Sequence, residues 1–146
     1  MLDLPTIFLA EDDDGHAQLI QNGLRKAGFQ NPLIRFHDGQ EALEYLTSLA
    51  VPSAAFPALP RVLLLDIRMP KVGGIEVLRQ IRENPAFDVL PVIMLTTTDD
   101  PREAQHCRQL GCNYYIVKPV NATLFNAALQ GLAGFLSPGE PPAKAD

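Results

Sequence analysis

Four acidic residues follow the first apolar stretch of the chain. Residues 7–14 read IFLAEDDD, so Glu11, Asp12, Asp13 and Asp14 come directly after four apolar positions. Carboxylates this close repel one another, and the cluster costs free energy unless a cation or solvent offsets its charge. Carboxylate oxygens with room for several waters suit Mg²⁺, which commonly also binds phosphate oxygens of a substrate. The cluster therefore predicts a magnesium site; for Asp13 and Asp14 alone, a solvated turn that starts a helix is the better interpretation.

Polar residues also follow three of the later apolar stretches. They are Asp66 after the third stretch, Thr96 and Thr97 after the fourth, and Lys118 and Pro119 after the fifth. In an open parallel sheet, ligands bind beyond the carboxyl ends of the strands, where the chain reverses its winding. If the first strand lies beside the third, as in the order 2-1-3-4-5, Asp12 and Asp66 face each other within metal-bridging distance. The sequence thus predicts one site at this edge of the sheet.

The elements that position these residues are predicted from hydrophobic periodicity. Short apolar stretches alternate with amphipathic stretches of helical length, which is the pattern of βα units around a parallel sheet. Strands are predicted at residues 6–10, 32–37, 61–65, 91–95 and 114–117, and helices at residues 14–27, 39–50, 74–84, 101–110 and 121–136. The second strand contains Arg35 and therefore fits an edge of the sheet. Asp14 and Asn121 are predicted amino-terminal caps, and Gly28 and Gly111 are predicted left-handed carboxyl-terminal caps.

Composition restricts the classes of protein that remain. The 146 residues, 47% of them hydrophobic, suffice for one domain, which we expect at residues 1–136. Residues 137–146 hold three prolines and are expected to form a flexible tail. A net charge of −5 argues against sequence-independent binding to nucleic acid, which needs clustered Lys and Arg side chains. No apolar run approaches the roughly 18 residues that span a bilayer, and the amino terminus lacks the layout of a signal peptide, so we expect a cytoplasmic protein.

Taken together, these motifs resemble one known family. The receiver domain of two-component response regulators is similar to the chain over about residues 5–136 in four motifs: EDD at residues 11–13, LLLDIRMP at residues 63–70, the threonine at 96, and KP at residues 118–119. The resemblance implies a flavodoxin-like (βα)5 fold, with a doubly wound parallel sheet in the order 2-1-3-4-5. It also implies that Asp66 accepts a phosphoryl group from a phosphohistidine of a sensor histidine kinase.

The resemblance further implies how the cofactor is held. Mg²⁺ would be bound by the carboxylates of Glu11, Asp12 and Asp66 and by the backbone carbonyl of Arg68. Asp13 is the alternative to Glu11, because four acidic residues are present where relatives most often have two.

Roles for residues near the ends of the fourth and fifth strands follow from the same resemblance. Lys118 would stabilise the charge on the transferring oxygens, in line with the general chemistry of phosphoryl transfer to a carboxylate. Thr96 would bond the new phosphoryl group, and Tyr115 would move into the space that Thr96 leaves. The Lys118–Pro119 peptide is expected to be cis. These changes would alter the surface of the fourth helix, fifth strand and fifth helix.

Two enzyme or cofactor-binding classes with similar folds fit the sequence less well. A haloacid-dehalogenase-type phosphatase needs an acid two residues after its nucleophile, and Arg68 stands there, so enzymatic turnover is not expected. A flavodoxin needs a phosphate-binding loop after the first strand, where this chain has acidic residues. The expected protein is a stoichiometric phosphoacceptor with slow autodephosphorylation. A phosphate sink or shuttle in a phosphorelay, and a binding module that is not phosphorylated, stay open as alternatives.

Within this family, the chain resembles one group of regulators in particular. Residues 93–98, residues 83–85 and the loop with prolines before the third strand are similar to single-domain regulators paired with bacterial phytochrome kinases. Their partner would be a bacteriophytochrome histidine kinase, and output would pass through protein contacts, since little chain follows the fifth helix. In that helix the apolar residues span an arc of roughly 140°, which predicts either a well-buried helix or a partner surface. We expect a homodimer through the face of the fourth and fifth helices.

Overall fold

The computed structural model describes residues 6–26, 28–49 and 61–118. The strands are β1 (Thr6–Ala10), β2 (Leu33–Phe36), β3 (Arg61–Asp66), β4 (Val92–Thr96) and β5 (Tyr114–Val117). The helices are α1 (Asp14–Lys26), α2 (Gly39–Leu49), α3 (Gly74–Glu83) and α4 (Pro101–Gln109), with a short 3-10 helix at Pro85–Phe87. The predicted fifth helix, the loop at residues 51–60 and the tail at residues 137–146 lie outside the described residues.

All strand pairs are parallel, and their order is 2-1-3-4-5. This confirms the predicted flavodoxin-like fold, including the position of β2 at an edge. The register aligns the carboxyl ends of the central strands, because Ala10 pairs with Leu65 and Asp66 pairs with Leu95. Glu11, which directly follows β1, is therefore level with Asp66. The first requirement for a shared site, neighbouring β1 and β3, is met.

The sheet is covered by helices on both faces. Residues alternate along each strand between two apolar layers, as the two-residue period of a strand requires. Ile7 and Leu9 of β1 pack in one layer with Ile20 of α1, whereas Phe8 packs in the other with Val77 of α3. Strands buried on both faces explain the nearly continuous aliphatic stretches in the sequence. None of the helices in the described ranges is long and apolar enough to cross a membrane.

The two predicted glycine caps are confirmed, the predicted amino-terminal cap of α1 is not, and the predicted cap Asn121 lies outside the described residues. Gly28 and Gly111 have φ of 92° and 105°, the left-handed conformation predicted for these caps. Asp14 was expected to cap α1, and this was wrong. The Oδ1 of Asp13 accepts the backbone N–H of His16 at 2.8 Å, so Asp13 is the cap and Asp14 is the first helical residue. The physical reason is that both aspartates could cap: the helix begins at residue 14 as predicted, so the cap is the residue before it, Asp13.

Candidate functional site

Three carboxylates meet at the carboxyl ends of β1 and β3. One oxygen each from Glu11, Asp12 and Asp66 lies within 4.8 Å of the others. Glu11 is fully buried, Asp66 is 5% exposed, and Asp12 lies open to solvent. The expected approach of Asp12 to Asp66 is thus confirmed. A set of hard carboxylate oxygens, with one side open for water or phosphate, fits Mg²⁺.

Backbone contacts fix the two buried carboxylates. The N–H of Glu11 donates to the carbonyl of Phe36 at 3.1 Å, which extends the β1–β2 pairing to the acidic residue itself. On the other strand, the N–H of Ile67 donates to Leu95 at 2.9 Å, so the chain stays paired just beyond Asp66. Both carboxylates therefore project from backbone that the sheet holds.

Gly74 allows α3 to begin against the backbone of Asp66. A Cβ on Gly74 would lie 2.1 Å from the carbonyl oxygen of Asp66 and 2.8 Å from the Cα of Ile67. The N–H of Gly74 donates to the carbonyl of Ile67 at 2.8 Å. Only glycine fits this close approach. The glycine therefore helps to set the position of the carboxylate that lies on β3.

Lys118 supplies a positive charge within the acidic cluster. Its side chain is 8% exposed, and its ammonium contacts Oε1 of Glu11 and lies 3.1 Å from Oδ1 of Asp66. The Nδ1 of His16 lies 3.2 Å from the same ammonium, a neighbour that the sequence analysis did not predict. The lysine is placed by its backbone, whose N–H donates to the carbonyl of Thr96 at 2.6 Å. One cation thus bridges the two buried carboxylates.

The pKa of Asp66 is raised from 3.8 to about 6. Burial is the main cause, the neighbouring charge of Glu11 adds to it, and Lys118 opposes it. Asp66 is therefore ionised at neutral pH, yet it is more basic than an ordinary aspartate. In contrast, the hydrogen bond from the backbone of His16 lowers the pKa of Asp13, as expected for a capping carboxylate.

A second cluster lies at the carboxyl end of β4. The hydroxyl of Thr96 donates to Oε1 of Glu103 at 2.8 Å, and the hydroxyl of Tyr115 donates to the same oxygen at 2.8 Å. The Tyr115 hydroxyl also lies 3.4 Å from the carbonyl oxygen of Thr98. Burial, with the Glu103 contact, raises the pKa of Tyr115. Tyr114 is exposed, as the alternation along β5 predicts.

Glu103 is the member of this second cluster that sequence reasoning missed. It stands seven residues after Thr96 in the first turn of α4, a position that carries no local motif. The only signal was an acidic residue in the first turn, and that is ordinary in helices.

Arg68 and Pro119 are the predicted site residues that remain. Arg68 is exposed at the rim of a cavity of about 220 Å³ that the acidic cluster and Thr97 also line. The metal-binding role of its backbone carbonyl stays a prediction. Pro119 lies outside the described residues, and the cis peptide likewise stays a prediction.

Comparisons with known proteins agree on one family. A family model described as response regulator receiver domain matches residues 7–130. The crystal structure of a response regulator receiver domain from Rhodospirillum rubrum is 44% identical, with a TM-score of 0.72 over 87% of this chain and 89% of that one. The bacteriophytochrome response regulator RtBRR is 36% identical, with a TM-score of 0.76 over 97% and 85% of the two chains.

A third relative carries a metal ion. The Mn²⁺-bound form of the response regulator Rcp1 is 30% identical, with a TM-score of 0.71 over 95% of this chain and 99% of that one. Rcp1 is a protein of Synechocystis sp.. The order of the strands, the acidic cluster beside Lys118, and the family match over most of the chain lead to one conclusion: this chain belongs to the response regulator receiver domains of two-component systems.

Proposed function

We propose that the chain is a phosphoacceptor response regulator that receives a phosphoryl group on Asp66 from the phosphohistidine of a sensor histidine kinase. The observation that carries this proposal is the meeting of Glu11, Asp12 and Asp66, with the ammonium of Lys118 against two of these carboxylates. A carboxylate flanked by a cation and by metal-binding oxygens is what phosphoryl transfer to an aspartate requires. We place the protein in the cytoplasm, where the catalytic domain of such a kinase lies.

In the proposed reaction, a carboxylate oxygen of Asp66 forms a bond to phosphorus while the bond from phosphorus to the histidine nitrogen breaks. The electron pair of that bond returns to the imidazole. Lys118, 3.1 Å from Asp66, stabilises charge on the transferring oxygens. Glu11, Asp12, Asp66 and the carbonyl of Arg68 would hold Mg²⁺, which would supply neutralisation of the phosphoryl oxygens.

Switching would use the second cluster. For the Thr96 hydroxyl to bond a phosphoryl oxygen, it has to leave Glu103, to which it donates at 2.8 Å. Tyr115 donates to the same oxygen of Glu103, so a change at Thr96 would directly alter a contact between β5 and α4. Two arrangements that differ by a few kcal/mol would be enough to transmit the signal.

The chain is proposed to accept phosphate stoichiometrically, with slow autodephosphorylation, because Arg68 stands where a phosphatase of similar fold needs an acid. The similarity to the bacteriophytochrome response regulator RtBRR supports a bacteriophytochrome kinase as the partner. A homodimer through α4 and the predicted fifth helix is part of the proposal. Sedimentation that gives a monomer at tens of micromolar, roughly the range of weak dimers, would remove the dimer from it.

Transfer of radiolabel from a phosphorylated kinase, or from acetyl phosphate, tests the proposal directly. Parent protein with Mg²⁺ should become labelled, and Asp66→Asn should not. Asp88→Asn is a matched control, because Asp88 is an exposed aspartate outside the site, and it should be labelled like the parent. A parent that stays unlabelled would be a binding module only. Transfer of the label from the chain to a second histidine-containing protein would favour the phosphorelay shuttle.

A further inference from the structure

The edge strand β2 sends one long side chain to the acidic turn. Arg35 lies on β2, and its side chain is 17% exposed. Its Nε and Nη2 donate to the backbone carbonyl of Glu11 at 3.0 and 2.9 Å, and Nη2 lies 3.3 Å from the carbonyl of Asp12. Its Nη1 donates to the carboxylate of Asp14 at 2.8 Å. One guanidinium therefore contacts three of the four acidic residues.

The hydrogen bonds from Arg35 to the backbone carbonyls contribute more to the geometry of the acidic turn than its ion pair with Asp14. The carboxylate of Asp14 is 89% exposed, and an ion pair so open to solvent contributes little to stability. The carbonyls of Glu11 and Asp12 belong to the backbone from which both metal-binding carboxylates project. The planar guanidinium fork of Arg35 fixes these carbonyls in a way that a point charge does not.

We propose that Arg35 is a positioning residue for the divalent cation site. It holds the backbone of Glu11 and Asp12 so that their carboxylates stay within reach of Asp66. The inference rests on the proposed function, because it assumes that these oxygens bind a cation. In the sequence, Arg35 only indicated an edge strand; in the structure it reaches across from β2 to the end of β1.

Two physical effects of Arg35 on cation affinity have opposite signs. A positive charge beside the site repels a divalent cation, so its removal should tighten binding if charge alone matters. If Arg35 positions the ligands, its removal should weaken binding by about 10- to 100-fold, as for other residues that orient metal ligands. The sign of the change therefore separates positioning from simple electrostatics.

The experiment measures Mn²⁺ binding by the full chain, with the metal alone and its electron paramagnetic resonance signal as the readout. Mn²⁺ accepts the same oxygen ligands as Mg²⁺. Arg35→Gln should bind Mn²⁺ about 10- to 100-fold more weakly than the parent. Arg35→Lys keeps the charge and loses the fork, so it should also bind more weakly. Asp14→Asn breaks only the exposed ion pair and should stay within about threefold of the parent.

Controls separate positioning from damage to the fold. Thermal unfolding without metal should be similar for the parent and Arg35→Gln, and added ethylguanidinium should restore part of the Mn²⁺ affinity of Arg35→Ala. Arg35→Gln that binds as tightly as the parent, or more tightly, would overturn the inference. So would Arg35→Ala with a lowered melting temperature and no rescue. A parent that does not bind Mn²⁺ at all, or binds it as well after Asp12→Asn, would instead overturn the proposed cation site.

Discussion

Replacing Asp66 with asparagine should stabilise the metal-free protein at neutral pH. Asp66 is almost fully buried beside Glu11, and its pKa is raised from 3.8 to about 6 because burial disfavours its charged form. The folded protein therefore binds a proton on Asp66 more readily than the unfolded chain does. Ionisation of this side chain at pH 7 works against folding, and a neutral amide removes that cost.

The magnitude follows from the two pKa values. The difference between 3.8 and about 6 corresponds to about 3 kcal/mol of stability lost by the parent at pH 7. The full stabilising effect of protonation is present below pH 4 and is lost as the pH rises through about 6. Asparagine loses the contact with the Lys118 ammonium, so we expect a net gain of about 1 to 3 kcal/mol.

Urea unfolding followed by circular dichroism, with EDTA present, measures this difference. The gap between Asp66→Asn and the parent should widen between pH 4 and pH 6 and stay constant above that range. At pH 7 the midpoint should rise by about 1 M urea. Asp88→Asn, at an exposed position, should show no such pH dependence.

Added Mg²⁺ should reverse the ranking. A ligand at about 1,000 times its Kd stabilises the state that binds it by about 4.1 kcal/mol, which exceeds the expected gain of the variant, and only the parent keeps all three carboxylates. The reasoning is refuted if Asp66→Asn is less stable than the parent at pH 7 in EDTA, or if the gap does not change with pH. Either result would mean that burial of the ionised Asp66 carboxylate does not lower the stability of the folded protein.

Three further predictions concern neighbours of this site. Lys118→Met leaves two buried carboxylates without their cation and should lower the free energy of unfolding at pH 7 by about 3 to 5 kcal/mol in EDTA; an unchanged urea midpoint would contradict this. Gly74→Ala should destabilise by about 1 to 3 kcal/mol and slow phosphoryl uptake, because the new Cβ would meet backbone at 2.1 Å, whereas Gly23→Ala, with open space around it, should do neither. Glu103→Gln should lower the pKa of Tyr115 toward its ordinary value, which tyrosinate absorbance during a pH titration would show; an unaltered titration would mean that burial alone raises it.

The sequence predicted the fold and the edge that carries the site because both depend on short-range patterns. The bounds of β1 and β5 were predicted to the residue, since each strand is followed by a charged residue and preceded by a proline or an asparagine, which are depleted in strands. The approach of Asp12 to Asp66 followed from the general rule that parallel strands end at a common edge. Such predictions need only the period of the hydrophobic pattern and the order of the strands in the sheet.

What could not be predicted depends on contacts between distant residues. Glu103 reaches Thr96 and Tyr115 only because α4 starts above the end of β4. Arg35 reaches the acidic turn from the neighbouring strand, 24 residues along the chain from Glu11. The 3-10 helix after α3 forms where the Asn84 side chain accepts the N–H of Ala86, a local choice that competes closely with simple helix termination.

The buried lysine would influence which ions the proposed cation site binds. The Lys118 ammonium already contacts Glu11 and lies 3.1 Å from Asp66, so an incoming ion has to compete with a tethered monovalent cation for the same oxygens. A sodium or potassium ion brings no more charge than the ammonium and gains little by the exchange. A divalent ion doubles the Coulomb attraction to each carboxylate. We therefore expect Lys118 to make the proposed cation site prefer doubly charged ions, even where singly charged ions are in excess.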